Sequence, residues 1–271
     1  MTTQIVPTPP PEEVWTPTLP PTDLVFDDGV PLESNRHRIA MNLLIASIYE
    51  AFTPRTDFFA GGNMFVYYSL KQIKSRDFRG PDFFVVLDVD GTKERQGWVL
   101  WEEGGRYPDV IVELMSPSTA QIDLNAKKTL YEQVFRTKHY FVYDPFDPAS
   151  LQGWELQPGH RFAPLQPNNQ GWLWCDSLGL WLGTWQGKRL QEQAYWLRFY
   201  DPKGQLVLLP EERERQEKEQ ERQRAEQERQ QAEQERQAKE DAIAQLNQQR
   251  QQQTAMAAKL RELGIDPDTL K

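Results

Sequence analysis

The chain has 271 residues, 38% of them hydrophobic, which suffices for one sizeable core but is thin for two once polar ends are set aside. Lys plus Arg number 31 against 40 Asp plus Glu, a formal net charge of -9, so the protein as a whole is no electrostatic glove for phosphates, and any nucleic-acid contact must be local. A single cysteine, Cys175, excludes an intramolecular disulfide and a multi-cysteine zinc site and fits a reducing, cytoplasmic setting.

The N-terminal stretch, residues 1–22, is rich in Pro and Thr, with Pro7, Pro9, Pro10, Pro11, Pro17 and Pro20 and no basic start or apolar run. It reads as an extended, poorly ordered arm rather than a signal peptide. No run of about 18 apolar residues occurs anywhere, so no membrane span is expected.

The folded part is expected over residues 23–209. Ser34 to Phe52 places Met41, Leu44, Ile45, Ile48 and Phe52 on one helical stripe. Asn63 to Ser69, Phe83 to Leu87 and Val110 to Leu114 are short β-branched or aromatic runs bounded by Gly, Pro and Asp, and predict strands. Gly61 and Gly62 then read as a bend at a strand start. Ser118 to Arg136 opens on a Ser/Thr start signal and carries Leu124, Leu130, Tyr131, Val134 and Phe135 at helical spacing. His139 to Tyr143 is a further strand, so the order is helix, three strands, helix, strand. From Leu151 onward short strands and turns predict β-hairpins, with Trp154, Trp172, Trp174, Trp181, Trp185 and Trp196 either closing a small sheet or offering faces on which bases stack.

Residues 210–264 are almost wholly Glu, Gln, Arg, Ala and Lys, with a seven-residue self-similarity in EQERQRA, EQERQQA and EQERQAK, and predict a charged helical tail before a short end at 265–271. Its first half offers only Ala225 and Ala232 at heptad spacing. Ala242, Leu246, Met256, Leu260 and Leu263 fall on a/d-type positions interrupted by Gln249 and Gln253, so the tail is either a solvated helix or a weak homodimer seam.

Candidate chemistry sits on carboxylates in or beside strands. Asp82 opens FFVVL, Asp109 opens VIVEL, and Glu113 lies inside that second run, which is apolar on both faces and so expected to be central and covered. An ionised Glu113 there is costly without a partner. Two unit charges 4 Å apart repel by about 4 kcal/mol at an effective dielectric near 20, so Asp82 beside Glu113 requires a cation or a proton. A hard divalent metal answers that need, because Mg²⁺ binds through one or two carboxylates plus waters and phosphate. Asp123, Lys127 and Tyr131 follow at i, i+4 and i+8 on one helix face, with Lys128 turned about 100° away. Lys127 can then assist phosphodiester hydrolysis, or form an ordinary surface pair with Asp123. His139 and His160 have no zinc-like spacing, and no phosphate loop or serine elbow is present.

The stretches GPDFFVVLD and YPDVIVELMSPSTAQIDLNAKKTLYEQVFRTKHYFVYDP resemble the Uma-type restriction endonucleases of the PD-(D/E)XK nuclease superfamily, from PLESNRHR through the final hairpin. That resemblance implies a restriction-endonuclease-like α/β (α+β) fold with an αβββαβ core and mixed sheet, and Mg²⁺- or Mn²⁺-dependent cleavage of DNA. It implies that Asp82 is the first metal-binding acid and Glu113 the acid of the (D/E)XK element. Met115 stands where the superfamily lysine is expected, which leaves Lys127 of the following helix to supply the amine. Glu33 and His37 are possible additions from the first helix, or else a dipole-favouring acid and a capping-region histidine. Asp109 lies about 13 Å from Glu113 along the strand and reads as a strand-start acid. Lys71, Lys74, Arg76 and Arg79 before Asp82, and Lys127, Lys128, Arg136 and Lys138 after Glu113, would make the field around the site locally positive. A catalytically inactive nuclease fold acting as a DNA-binding or scaffolding module, or a tail that is itself the working part, are the competing expectations.

Overall fold

The computed structural model describes residue 24, residues 34–69, residues 80–262 and residue 264. The proline-rich arm, Glu33, the basic run containing Lys71, Lys74, Arg76 and Arg79, and the end at 265–271 lie outside the described residues. The chain divides into two units, Met1–Val207 and Leu208–Lys271.

In the first unit, helix α1 (Asn35–Phe52) starts where Ser34, in extended conformation, accepts the backbone N–H of His37. A serine cap of this kind satisfies one of the helix's orphan donors. Ile39, Ala40, Met41, Leu43, Leu44, Ile48 and Phe52 are buried along it. Strand β1 (Phe58–Gly61), β2 (Val66–Tyr67), β3 (Phe83–Leu87), β4 (Trp98–Val99) and β5 (Val110–Leu114) follow. A helical run over residues 120–135, here α2, leads to β6 (His139–Asp144), β7 (Asp147–Gln157) and β8 (Arg161–Pro164). The main sheet has the order β1-β3-β5-β6-β7-β8. Among the described residues of this sheet only the β5–β6 pair is parallel. Short hairpin connections join β6, β7 and β8, longer connections through β2 and β4 join β1, β3 and β5, and α2 supplies the crossover that the parallel β5–β6 pair requires.

The first of the three expected core strands is not the run Asn63 to Ser69. That segment contributes only Val66–Tyr67, paired in parallel with Trp98–Val99 outside the main sheet. Phe58–Gly61 takes the place instead, at the sheet edge beside β3. Four residues are too few to show a period, and the burial of Val66 and Tyr67 accounts for the apolar signal of the neighbouring run.

β3 and β5 are buried on both faces. On one side α1 packs against β1, β3 and β5 and also against a strand, Glu192–Tyr200, of a second sheet. On the other, α2 closes a cluster in which Tyr131 and Phe135 meet Ile111, Met115, Tyr140, Val142 and Trp154. The second sheet, of order β11-β10-β9, comprises β9 (Leu173–Cys175), β10 (Leu180–Arg189) and β11 (Glu192–Tyr200). Leu190 and Gln191 both take positive φ at the β10–β11 turn, as a two-residue hairpin loop requires. Its tryptophans serve packing: Trp196 is fully buried, Trp172 stacks on Tyr200 at 3.8 Å, and Trp174 meets Trp181 edge to face.

Among its described residues the second unit contains one helix, α3 (Pro210–Glu262), 53 residues long and so about 80 Å in extent. Intrahelical pairs such as Lys218–Glu214 at 2.6 Å and Arg236–Glu233 at 2.6 Å run along it. Ile243, Leu246 and Met256 are exposed. Among the described residues no helix is long and apolar enough to cross a membrane.

Candidate active site

The register of two strands brings the first two acids together. β3 and β5 are antiparallel with Phe83 opposite Val112, so the residue before Phe83 comes opposite the residue after Val112: Asp82 faces Glu113. Asp82 Oδ2 accepts the backbone N–H of Leu114 at 2.8 Å, which holds its carboxyl on that side. Gly62 lies hard against this corner, where an added Cβ would stand 2.3 Å from the Asp82 carbonyl oxygen. The Gly61-Gly62 pair thus marks a close backbone approach as well as a bend.

Helix α2 supplies the remaining groups from above. It alternates α-type turns at Ala120–Ile122 and Lys128–Leu130 with π-type turns at Asp123–Lys127 and Tyr131–Phe135. An α turn holds fewer than four residues and a π turn more, so the alternation keeps Asp123, Lys127 and Tyr131 above one another. Glu113 is fully buried; its Oε1 accepts the Tyr131 hydroxyl at 2.7 Å and its Oε2 lies 3.0 Å from Lys127 Nζ. Lys127 Nζ is also 2.8 Å from Asp123 Oδ1. Lys128 points elsewhere, its ammonium 3.8 Å from the centre of the Trp154 ring.

Asp123 is only 1% exposed, so its pair with Lys127 is not a surface pair. The D-x3-K spacing carried this contact in the sequence, but spacing gives no burial. Around one ammonium therefore stand three acids: Asp82, Glu113 and Asp123.

This excess of negative charge shows in the proton affinities. Burial, then repulsion from Glu113, push the Asp82 carboxyl well above the usual carboxylate range, against the opposing Leu114 N–H and Lys127. Burial and Glu113 likewise raise Asp123, with Lys127 opposing. Burial alone would lower Lys127, but the Glu113 and Asp123 carboxylates outweigh it and raise it above the ordinary lysine value. The ammonium stays charged. Tyr131 is held well above the ordinary phenol by burial and by Glu113.

His37 is buried, its ring nitrogens 2.8 Å from Ser34 Oγ and 3.2 Å from the Met115 carbonyl oxygen, so it braces the start of α1 against the end of β5. Glu33 is outside the described residues. Asp109 sits at the opposite end of β5, accepting the Leu87 N–H at 2.8 Å and pairing with Lys138 at 3.0 Å.

The donor chemistry fits a hard divalent ion, because Asp82 and Glu113 offer facing carboxylate oxygens at a point where burial, then repulsion from Glu113, raises the proton affinity of Asp82. Among the described residues no group of three or more His, Cys, Asp or Glu side chains is arranged around a single metal position. Two carboxylates with waters are enough for Mg²⁺.

A family model described as "Uma2: Putative restriction endonuclease" matches residues 21–185, which include Asp82, Glu113, Asp123 and Lys127. A solved structure described as a "putative nuclease belonging to DUF820" from Anabaena variabilis ATCC 29413 is similar at 16% identity, covering 59% of this chain and 86% of that one with a TM-score of 0.39. No curated protein matches.

Proposed function

Because this chain belongs to the Uma2 family, we propose that it is a divalent-metal-dependent DNA endonuclease hydrolysing phosphodiester bonds at Asp82, Glu113 and Lys127. The observation that carries the reading is the meeting of Asp82 with Glu113 across β3 and β5, under an ammonium 3.0 Å from Glu113. Asp82 and Glu113 would hold Mg²⁺ or Mn²⁺, which when bound supplies positive charge to polarise the scissile phosphate. The chain's own groups do the rest. Leu114 N–H fixes Asp82, and the Tyr131 hydroxyl fixes Glu113. Lys127 presents a fixed positive charge to the negative charge carried by the phosphoryl oxygens as water attacks the phosphorus. His37 braces the start of α1 against the Met115 carbonyl beside the site.

DNA is the proposed partner, with an affinity that falls as salt rises. A second copy of the chain is proposed to pair along α3, where Ile243, Leu246 and Met256 stand exposed. A cytoplasmic location is consistent with the buried free thiol of Cys175.

The test is incubation of supercoiled plasmid with the purified protein and Mg²⁺ or Mn²⁺. Cleavage by the wild type and none by Glu113→Ala is expected; no cleavage by either sinks the enzyme reading. One observation favours a second reading, an inactive nuclease fold used for binding or scaffolding: the Lys127 ammonium already partners Glu113 Oε2 and Asp123 Oδ1. A Mn²⁺ titration with no saturable site would favour it.

A further inference from the structure

Two acids holding a divalent ion, and an amine facing the phosphate, do not of themselves call for a third buried carboxylate. Asp123 is nonetheless 1% exposed, and its peptide oxygen takes the Tyr140 hydroxyl at 2.8 Å, so its backbone is pinned between helix and sheet. Its Oδ1 is buried and lies 2.8 Å from Lys127 Nζ, and the Thr119 side chain also donates to its carboxylate. Removing an ionised carboxylate from water is costly, and the ammonium is its compensation.

Lys127 is thus shared. Its Nζ is 3.0 Å from Glu113 Oε2 on one side and 2.8 Å from Asp123 Oδ1 on the other. An ammonium seated on Glu113 repels any second cation brought to the same carboxylate. If Glu113 were its one anionic anchor, divalent ion and ammonium would compete for it. With Asp123 present, the ammonium keeps a partner when Glu113 turns to the metal, and it keeps its place in the site.

We propose that Asp123 is a positioning residue that anchors Lys127, so that Glu113 is free to take a divalent cation while the ammonium remains beside it. The inference rests on the metal-dependent reading above and adds to it a role for Asp123 that is not metal ligation.

The experiment is calorimetric titration of Mn²⁺ into the full chain, comparing wild type, Asp123→Asn, Lys127→Gln and the double variant. Loss of an outer partner of a metal site costs about 10- to 100-fold in affinity. Asp123→Asn is therefore expected to weaken Mn²⁺ binding about tenfold, because it leaves the ammonium on Glu113 alone. Lys127→Gln should bind Mn²⁺ at least as tightly as wild type, and adding Asp123→Asn to it should cause no further loss. Equal losses in both backgrounds would make Asp123 a direct ligand or a general scaffold acid and overturn the proposal; so would no loss in Asp123→Asn. If circular dichroism shows that Asp123→Asn is unfolded, Asp123→Glu gives the same contrast, with a smaller loss expected only when Lys127 is present and an equal loss in both backgrounds overturning the role. A wild type with no saturable Mn²⁺ site sinks the metal-dependent reading and this one with it, whereas binding with equal losses sinks this one alone.

Discussion

Asp82 Oδ2 accepts the backbone N–H of Leu114 at 2.8 Å, so the acid that opens β3 is tied to the residue immediately after Glu113. The bond holds two carboxyls together where burial, and then repulsion from Glu113, raise the proton affinity of Asp82. The backbone of Asp82 is in turn wedged by Gly62, where any Cβ would fall 2.3 Å from its carbonyl oxygen. Gly62→Ala should therefore shift Asp82 and cost about 1–3 kcal/mol of stability by overpacking. Urea unfolding with a parallel plasmid assay checks it: both stability and cleavage should fall, and an unchanged unfolding midpoint would contradict the packing argument.

Glu113→Gln keeps the shape of the side chain and removes its charge. Cleavage of supercoiled plasmid in Mn²⁺ should fall by about 10²-fold or more, the usual scale for deleting a preorganised electrostatic group. Far-ultraviolet circular dichroism should be unchanged, because Asp123 still compensates Lys127.

Tyr131→Phe deletes a fully buried hydroxyl that donates to Glu113 Oε1 at 2.7 Å. A hydrogen bond to a charged group contributes about 1.5–3 kcal/mol, so chemical denaturation should show a loss on that scale. Cleavage rate at saturating DNA should fall more than DNA affinity, because the bond orients Glu113 rather than touching the substrate.

Much of this was legible in the chain itself. The order helix, three strands, helix, strand follows from period and turn residues, and the mixed α/β architecture with a second sheet and a long C-terminal helix is what the structure has. The meeting of Asp82 and Glu113 needed strand register, which depends on partners remote in sequence. The substitution of Phe58–Gly61 for the run at Asn63 to Ser69 escaped for the same reason: an edge strand of four residues has no period, whereas an apolar run is equally consistent with a buried loop. The burial of Asp123 escaped because i, i+4 spacing fixes a helix face without fixing what covers it. Residue 33 and the basic run before Asp82 fall outside the described residues.

His139 offers a pH test of stability apart from the acids. It is 3% exposed, its Nδ1 is 3.0 Å from Ser177 Oγ, and burial lowers its proton affinity below the ordinary histidine value, with Glu155 opposing. The fold therefore favours the neutral ring. As pH drops below about 6.5 the unfolded chain takes a proton that the folded state resists, so this contribution is complete above that pH and is lost on acidification. Unfolding free energy measured from pH 7.5 to 5.5 should decline less steeply in His139→Gln than in wild type; parallel declines would show that the ring does not resist protonation in the fold.

The exposed Leu246 and Met256 of α3 are expected to lie in a seam between two copies of the chain. Sedimentation equilibrium should show a weak dimer that Leu246→Glu with Met256→Glu converts to monomer, since charges at seam positions oppose helix pairing. A monomeric wild type at high concentration would rule the dimer out.

The most direct test of the metal-dependent reading is anomalous diffraction from a crystal of the protein soaked in Mn²⁺. A peak is expected in contact with the carboxylates of both Asp82 and Glu113, with Lys127 still beside Asp123. No peak at that position from a fully soaked crystal, or one that touches neither carboxylate, would contradict a metal centre built on these two acids.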